Sequence, residues 1–179
     1  MSTVLAIDPG NTESAYAIIR VETRQPIEVG KLPNDEIIQR LIDACVGQGP
    51  ADVGLDWEPE IAQVAVEMVA SYGMSVGREV FETCVWVGRF QQVVDVYGGE
   101  QVRCDLIVRK DVKMHHCHSN AAKDSNIAQA LVDRFASGQS NRGKGTKAEP
   151  GWFYGFKDDI WQAYALAVLV ADRLDEAVA

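Results

Sequence analysis

The chain has 179 residues, 47% of them apolar and 24% charged, with a formal net charge of −9. That length suits one domain with a sizeable core, and no apolar run approaches the roughly 18–20 residues of a membrane-spanning helix. The acidity argues against a polyanionic partner, yet the charge is uneven. Residues 1–99 carry 6 Lys/Arg against 15 Asp/Glu, whereas residues 100–150 carry 9 against 6. The first strand begins without a basic, hydrophobic leader, and four cysteines occur without a CxxC pair. Both features fit a cytoplasmic protein with reduced thiols.

In chain order, residues 4–8 and 15–21 read as two strands joined by a Pro-Gly and Asn-Thr turn, with 26–32 as a third, antiparallel neighbour. "NDEIIQRLIDACV" starts on an Asn cap and repeats Ile37, Ile38, Leu41, Ile42 and Cys45 at helical spacing. Residues 47–60 form a polar connector. "IAQVAVEMVA" is apolar almost throughout, the mark of a strand covered on both faces.

A long helix is predicted over 75–94, with Val76, Val80, Cys84 and Val87 on one side and Phe81, Val85 and Phe90 on another. Such a helix is expected to be buried on its own sheet and again on a second copy of the chain. "DLIVRK" is a further strand and 126–135 a helix. "ASGQSNRGKGTKAEPG" breaks all periodicity and reads as a mobile basic loop at about 137–151. Helical spacing returns in "DDIWQAYALAVLVADRLDEAV". The sum is a single α/β domain over 1–179, with a mixed five-stranded sheet flanked by helices.

Three sets of carboxylates fall at or near element ends. Asp8 closes the first strand and is explicable as a turn former. Asp158 and Asp159 open the last helix, where the dipole favours acids. Glu67 lies inside the central apolar strand, and no Lys or Arg occurs between Asp52 and Gly77 to offset it. An ionised glutamate there needs positive charge, and a divalent cation suits. Convergence of the three sets would make a site for hard cations that serve phosphodiester hydrolysis.

The basic residues Arg78, Lys113, Lys123, Arg142, Lys144 and Lys147 are candidate phosphate contacts. Trp152, Phe153 and Tyr154 read as core anchors. "MHHCHS" holds all three histidines around Cys117, but so short a run does not easily close a tetrahedral zinc site. It reads as a polar segment near DNA, or simply as surface.

Taken together, "AIDPGNTESAYAII", "VAVEMV" and "KDDIWQAYALAV" resemble the RuvC-type Holliday junction resolvases of the RNase H-like superfamily, most closely the short bacteriophage versions. The resemblance implies an RNase H-like fold and a homodimeric endonuclease that cuts four-way or branched DNA by paired nicks. It also implies Mg²⁺, or Mn²⁺, with two ions per site. It places catalytic and metal-binding roles on Asp8, Glu67 and Asp158 or Asp159. The family's second acid of the final helix falls on Gln162, which carries no charge. Either one ion is held more loosely, or Asp158 and Asp159 supply both carboxylates. Three other readings stay open. One is a branched-DNA-binding protein with little or no catalysis; another is an ATP-binding fold of the actin-like or sugar-kinase type, which shares the strand-turn-strand; the third is a processing exonuclease, since the same fold and metals serve chain ends.

Overall fold

The computed structural model describes residues 2–46, 61–70, 73, 75–100 and 102–178; the 47–60 connector lies outside them. Strands β1 (Thr3–Asp8), β2 (Glu13–Arg20) and β3 (Pro26–Pro33) form an antiparallel meander. Strand β4 (Ile61–Met68) joins the free edge of β1 in parallel, and β5 (Arg103–Val108) follows β4 in parallel. The order β3-β2-β1-β4-β5 is the mixed five-stranded sheet that the sequence leads one to expect.

The period of two assigns each residue to a face. Leu5, Ile7, Tyr16, Ile18, Val64 and Val66 pack under helices α1 (Asn34–Val46) and α2 (Arg78–Tyr97). Val4, Ala6, Ala15, Ala17, Ala65 and Ile107 face helices α3 (Arg109–Cys117), α4 (Asp124–Phe135) and α5 (Ile160–Val178). Asp8 continues the Val4–Ala6 parity and Glu67 that of Ala65, so both carboxylates belong to the α5 side. Residues 160–171 of α5 are buried without interruption. A helix that is apolar all round becomes a core element.

Element boundaries shift from expectation for local reasons. Helix α2 runs over Arg78–Tyr97 instead of 75–94, because Gly77 keeps an extended backbone and the turn at Gly98 closes on the Val94 carbonyl at 2.7 Å. Phe90 joins Val87 and Val94 on the buried stripe, away from Phe81 and Val85. Strand β5 stops at Val108; Arg109 and Lys110, expected in the strand, open α3. Helix α4 begins two residues early, where the Lys123 N–H donates to the Asn126 side chain at 2.8 Å. The 137–151 stretch is a loop, with a 3₁₀ turn at Ser140–Gly143 and a bridge between Gly145 and Pro150. Gly143 has φ +73° and packs so closely on Ala136 that a side chain there would collide.

The histidine segment is the last turn of α3, not a free surface run. The His115 Nε2–H donates to Asp172 at 2.8 Å, and the His116 Nε2–H donates to the Ala165 carbonyl at 2.8 Å. Arg24 and Arg134 also bond Asp172, so one carboxylate clasps the β2–β3 turn, α3 and α4 to α5. Burial pushes the His116 imidazole down to about 4, and the ring is neutral in the fold.

In the unfolded chain that imidazole regains an ordinary pKa and takes up a proton, so stability due to the neutral ring is complete above about pH 6.5 and is lost as pH falls toward 4. Urea unfolding from pH 7 to pH 4 should show a loss of about 3 kcal/mol from this group. His116→Gln, which keeps a donor for Ala165, should flatten that part of the profile.

Candidate active site

The turn after Asp8 is built before the site is. Gly10 comes so near the Glu13 carbonyl that a Cβ would collide with it. The Gly10 N–H donates to Ser14 Oγ at 3.1 Å, Ser14 Oγ–H donates to Asn34 Oδ1 at 2.6 Å, and Asn34 Nδ2–H returns to the Gly10 carbonyl at 3.0 Å. Ser14 and Asn34 are both buried. Asn34, expected as a helix cap, is thus the residue that locks the turn and fixes the end of β1.

Sheet register then sets the charges in a row. Asp8 lies opposite Ala15, and Ala15 opposite Lys31. On the other side, Ile7 pairs with Val66, which brings Glu67 beside Asp8; Glu67 in turn lies opposite Ile107. Arg109 follows Ile107 by two residues. Its Nη1 donates to Glu67 Oε2 at 2.8 Å and its Nη2 to Asp124 Oδ1 at 2.6 Å. Lys31 Nζ reaches Asp159 Oδ2 at 2.6 Å, where α5 begins. The expectation that Glu67 lacks a cationic side chain is therefore corrected. Its counter-charge arrives from the neighbouring parallel strand end, outside the local sequence.

The electrostatics follow from this row. Burial, then the negative charge of Glu67, hold the Asp8 carboxyl well above the ordinary carboxylate range; Asp159 and Asp124 add to the effect and Arg109 opposes it. Glu67 is also raised by burial, with the guanidinium of Arg109 working against the rise. The Lys31 ammonium is raised by its bond to Asp159. Among the described residues Asp8 has no ion-pair partner, so its protonated form is favoured.

The charges of Glu67 and Asp159 both bear on Asp8. Asp158 is exposed and sits at φ +39°, a left-handed step that separates it from Asp159. Asp159 accepts the Ala163 N–H through its carbonyl at 3.1 Å and is the residue that opens α5. Of the pair left open by sequence, Asp159 is the member whose charge bears on Asp8. Gln162 lies one turn further on the same side of the helix. It is buried, and its Oε1 has no hydrogen-bond partner.

These donors fit a hard divalent cation in kind: two half-buried carboxylates that resist ionising together, a third at a helix start, and an orphaned carbonyl oxygen. Among the described residues no three acids, histidines or cysteines are gathered tightly enough to enclose an ion. Arg109 and Lys31 engage two of the acids instead.

The predicted phosphate contacts surround this centre unevenly. Arg78 is exposed at the start of α2 and pairs with Glu82 at 2.6 Å, and Asn11 from the β1–β2 turn bonds the same carboxylate. Lys113 lies on α3 within electrostatic reach of Glu67. Lys123 directly precedes Asp124. The Arg142 guanidinium rests 5.3 Å from the ring centre of Trp161, over the first turn of α5. Lys144 and Lys147 lie on the loop before that helix. Trp152 stacks on Phe135 and Phe153 is fully buried, as expected of anchors, whereas Tyr154 is exposed.

Sequence reasoning missed Arg109, Asp124 and Lys31. A signal existed for the first: Arg109 shares the parity of Ile107 at the end of a strand parallel to β4.

This architecture, with carboxylates on adjacent parallel strand ends beneath an acid at the start of the last helix, is the RuvC-type, RNase H-like α/β fold. The chain is similar to a Thermus thermophilus RuvC structure, at 17% identity and a TM-score of 0.63, with 98% of this chain and 96% of that one covered. It is equally similar to T. thermophilus RuvC in complex with Holliday junction substrate, at 15% identity, a TM-score of 0.63 and the same coverage. No protein-family model matches the sequence, and no curated protein matches it.

The Arg109–Glu67 pair is largely shielded from solvent, at 19% and 16% side-chain exposure. Arg109→Gln should cost about 2 kcal/mol in urea unfolding, because Glu67 is left without its counter-charge. Adding Glu67→Gln to that variant should recover most of the loss in a double-mutant cycle.

Proposed function

We propose that this chain is a divalent-metal-dependent DNA endonuclease of the Holliday junction resolvase type, a single nuclease domain over 1–179 acting on four-way or other branched DNA. The observation that carries the reading is the placement of Asp8 beside Glu67 at parallel strand ends, with Asp159 facing them from the start of α5. The fold shared with a RuvC bound to junction substrate supports the choice of DNA. Asp8, Glu67 and Asp159 would hold Mg²⁺ or Mn²⁺, with Gln162 Oε1 as a neutral donor. When bound, such an ion supplies an activated water and offsets charge on the leaving oxygen.

The chain's own residues do the rest. The locked Pro9–Thr12 turn would hold the C-terminal end of β1, the central strand, where Asp8 lies. Arg78, Lys113, Lys123 and Arg142 would meet phosphates around the centre, and Lys144 and Lys147 would extend that contact along the loop. A homodimer is part of the proposal, because two symmetric sites match two symmetric strands of a junction. Phe81 and Val85, both more than 60% exposed on α2, line a surface suited to a second copy. Among the described residues no helix is long and apolar enough to cross a membrane. A cytoplasmic setting and a place near the short bacteriophage resolvases complete the reading.

A junction-binding protein with weak or no cleavage is the second reading. Gln162 favours it, since a neutral side chain stands where the family pattern has an acid.

Asp8→Asn, and separately Glu67→Gln, should abolish Mg²⁺-dependent nicking of a labelled four-way junction while leaving junction binding in EDTA intact. Cleavage retained by either variant defeats the assignment, and binding without cleavage by the unaltered chain favours the second reading. Lys144→Ala with Lys147→Ala should weaken binding and make the plot of log affinity against log salt shallower by roughly one to two units. An unchanged slope removes the loop from the interface.

A further inference from the structure

The loop before α5 holds one cation in a way that sets it apart from the other basic residues. We propose that Arg142 is an oriented contact for one particular phosphate of a DNA strand, and so sets the register of that strand beside the start of α5. The inference rests on the nuclease reading above and narrows its substrate contact: Lys144 and Lys147 supply attraction, whereas Arg142 supplies position.

The backbone gives the first observation. Asn141 and Arg142 are consecutive left-handed residues, at φ 50° and φ 55°. That conformation crowds a Cβ against the following carbonyl, and Asn tolerates it better than Arg does. It persists where the surroundings over-determine it, which is commonest at functional positions. Here Gly143, at φ +73°, is buried against Ala136 and Phe153. The Phe153 N–H donates to the Gly143 carbonyl at 3.0 Å, and the Gly151 N–H to the Lys144 carbonyl at 3.1 Å. The Thr146 N–H closes the tip on the Glu149 carbonyl at 2.9 Å. Arg142 therefore departs from a small bonded hairpin.

The side chain gives the second. Its guanidinium lies 5.3 Å from the ring centre of Trp161, in the first turn of α5. Trp161 is 8% exposed and packs on Phe153 and Phe156 at ring separations of 4.8 and 5.0 Å, so the platform belongs to the core. Arg24, Arg40, Arg78, Arg109, Arg134 and Arg173 each pair with a carboxylate. Arg142 is exposed and, among the described residues, pairs with none. Covering Trp161 needs an aliphatic stem but no charge. A guanidinium held at an indole still offers its N–H edge to two oxygens of one phosphate.

The test measures the affinity of the full chain for a labelled four-way junction in EDTA. Single phosphates are replaced in turn by uncharged methylphosphonate, in both members of a symmetric strand pair. Arg142→Met keeps an aliphatic cover on Trp161; it should retain the thermal midpoint and bind about tenfold more weakly. At one phosphate, or two adjacent ones, methylphosphonate should cost the unaltered chain a similar factor and cost Arg142→Met nothing further. For Lys144→Met the losses should add at every position. Arg142→Lys keeps the charge and the salt slope, yet should bind about fivefold more weakly, because an ammonium lacks the planar fork. Should Arg142→Met lose its thermal midpoint, Arg142→Gln takes its place. Additive losses at every phosphate for the Arg142 variant, or equal coupling for Lys144→Met, overturn the oriented contact and leave the nuclease reading standing. So does an Arg142→Lys variant that binds as the unaltered chain does. An unaltered chain that binds no junction overturns both.

Discussion

Two carboxylates on neighbouring strand ends, roofed by an apolar helix, cannot both stay ionised without positive charge beside them. Asp8 and Glu67 are in that position, and the structure around them answers the conflict in several ways. Glu67 receives a guanidinium from the next strand. Asp159 receives an ammonium from the far side of the meander. Asp8 receives neither, and burial together with Glu67 favours its protonated form. That unmatched carboxyl ends β1 immediately before the turn closed by bonds through Gly10, Ser14 and Asn34.

How near the acids come depends on residue size on one side of the sheet. Ala6, Ala15, Ala17 and Ala65 face α5, which contributes Ala163, Ala165, Ala167 and Ala171 to the same cluster. The opposite face is filled by Leu5, Ile7, Ile18, Val64 and Val66. Small residues let the helix lie low on the sheet, so that Asp159 and Gln162 come down toward the strand ends. Bulkier residues at these positions would lift the helix start away from Asp8. The Arg24–Asp172 clasp and the Tyr164 hydroxyl, which donates to the Arg24 carbonyl at 2.9 Å, hold the body of α5 against the β2–β3 turn. Core packing and site geometry are therefore one construction.

Much of this was legible in the sequence, for physical reasons. Apolar runs on either side of a Pro-Gly turn marked β1 and β2, and the apolar run of β4 announced a strand buried on both faces. Periodicity then gave α1 and α5. Asp8 and Glu67 were legible because acids in apolar strands are costly and thus informative. The choice between Asp158 and Asp159 was not, because it turns on a left-handed backbone step at Asp158 that no residue pattern announces. Arg109 was assigned to a strand when it opens a helix, and its partner lies 42 residues earlier in the chain. Lys31 requires the register of three strands before it can be placed near Asp159. Local pattern reports local structure, while counter-charges arrive through sheet order. The histidine segment shows the same limit from the other side: its polar composition concealed a helix turn docked on α5 through partly buried hydrogen bonds.

A net charge of −9 is hard to reconcile with DNA binding only if charge is counted without position. Asp172 is occupied by Arg24, Arg134 and His115, and Glu67 and Asp124 by Arg109. Such acids present little free negative charge to a passing strand, and at physiological salt charges beyond about 8 Å are screened. On the proposed reading, a phosphate near Asp8 would meet the basic groups on α2, α3, the start of α4 and the loop before α5. On that reading the acids at the centre would repel a phosphodiester if left bare, so DNA approach and cation binding would favour one another. Overall acidity would then be a source of selectivity: contact would be attractive where the basic groups and a cation-loaded centre coincide, and unfavourable over much of the remaining surface.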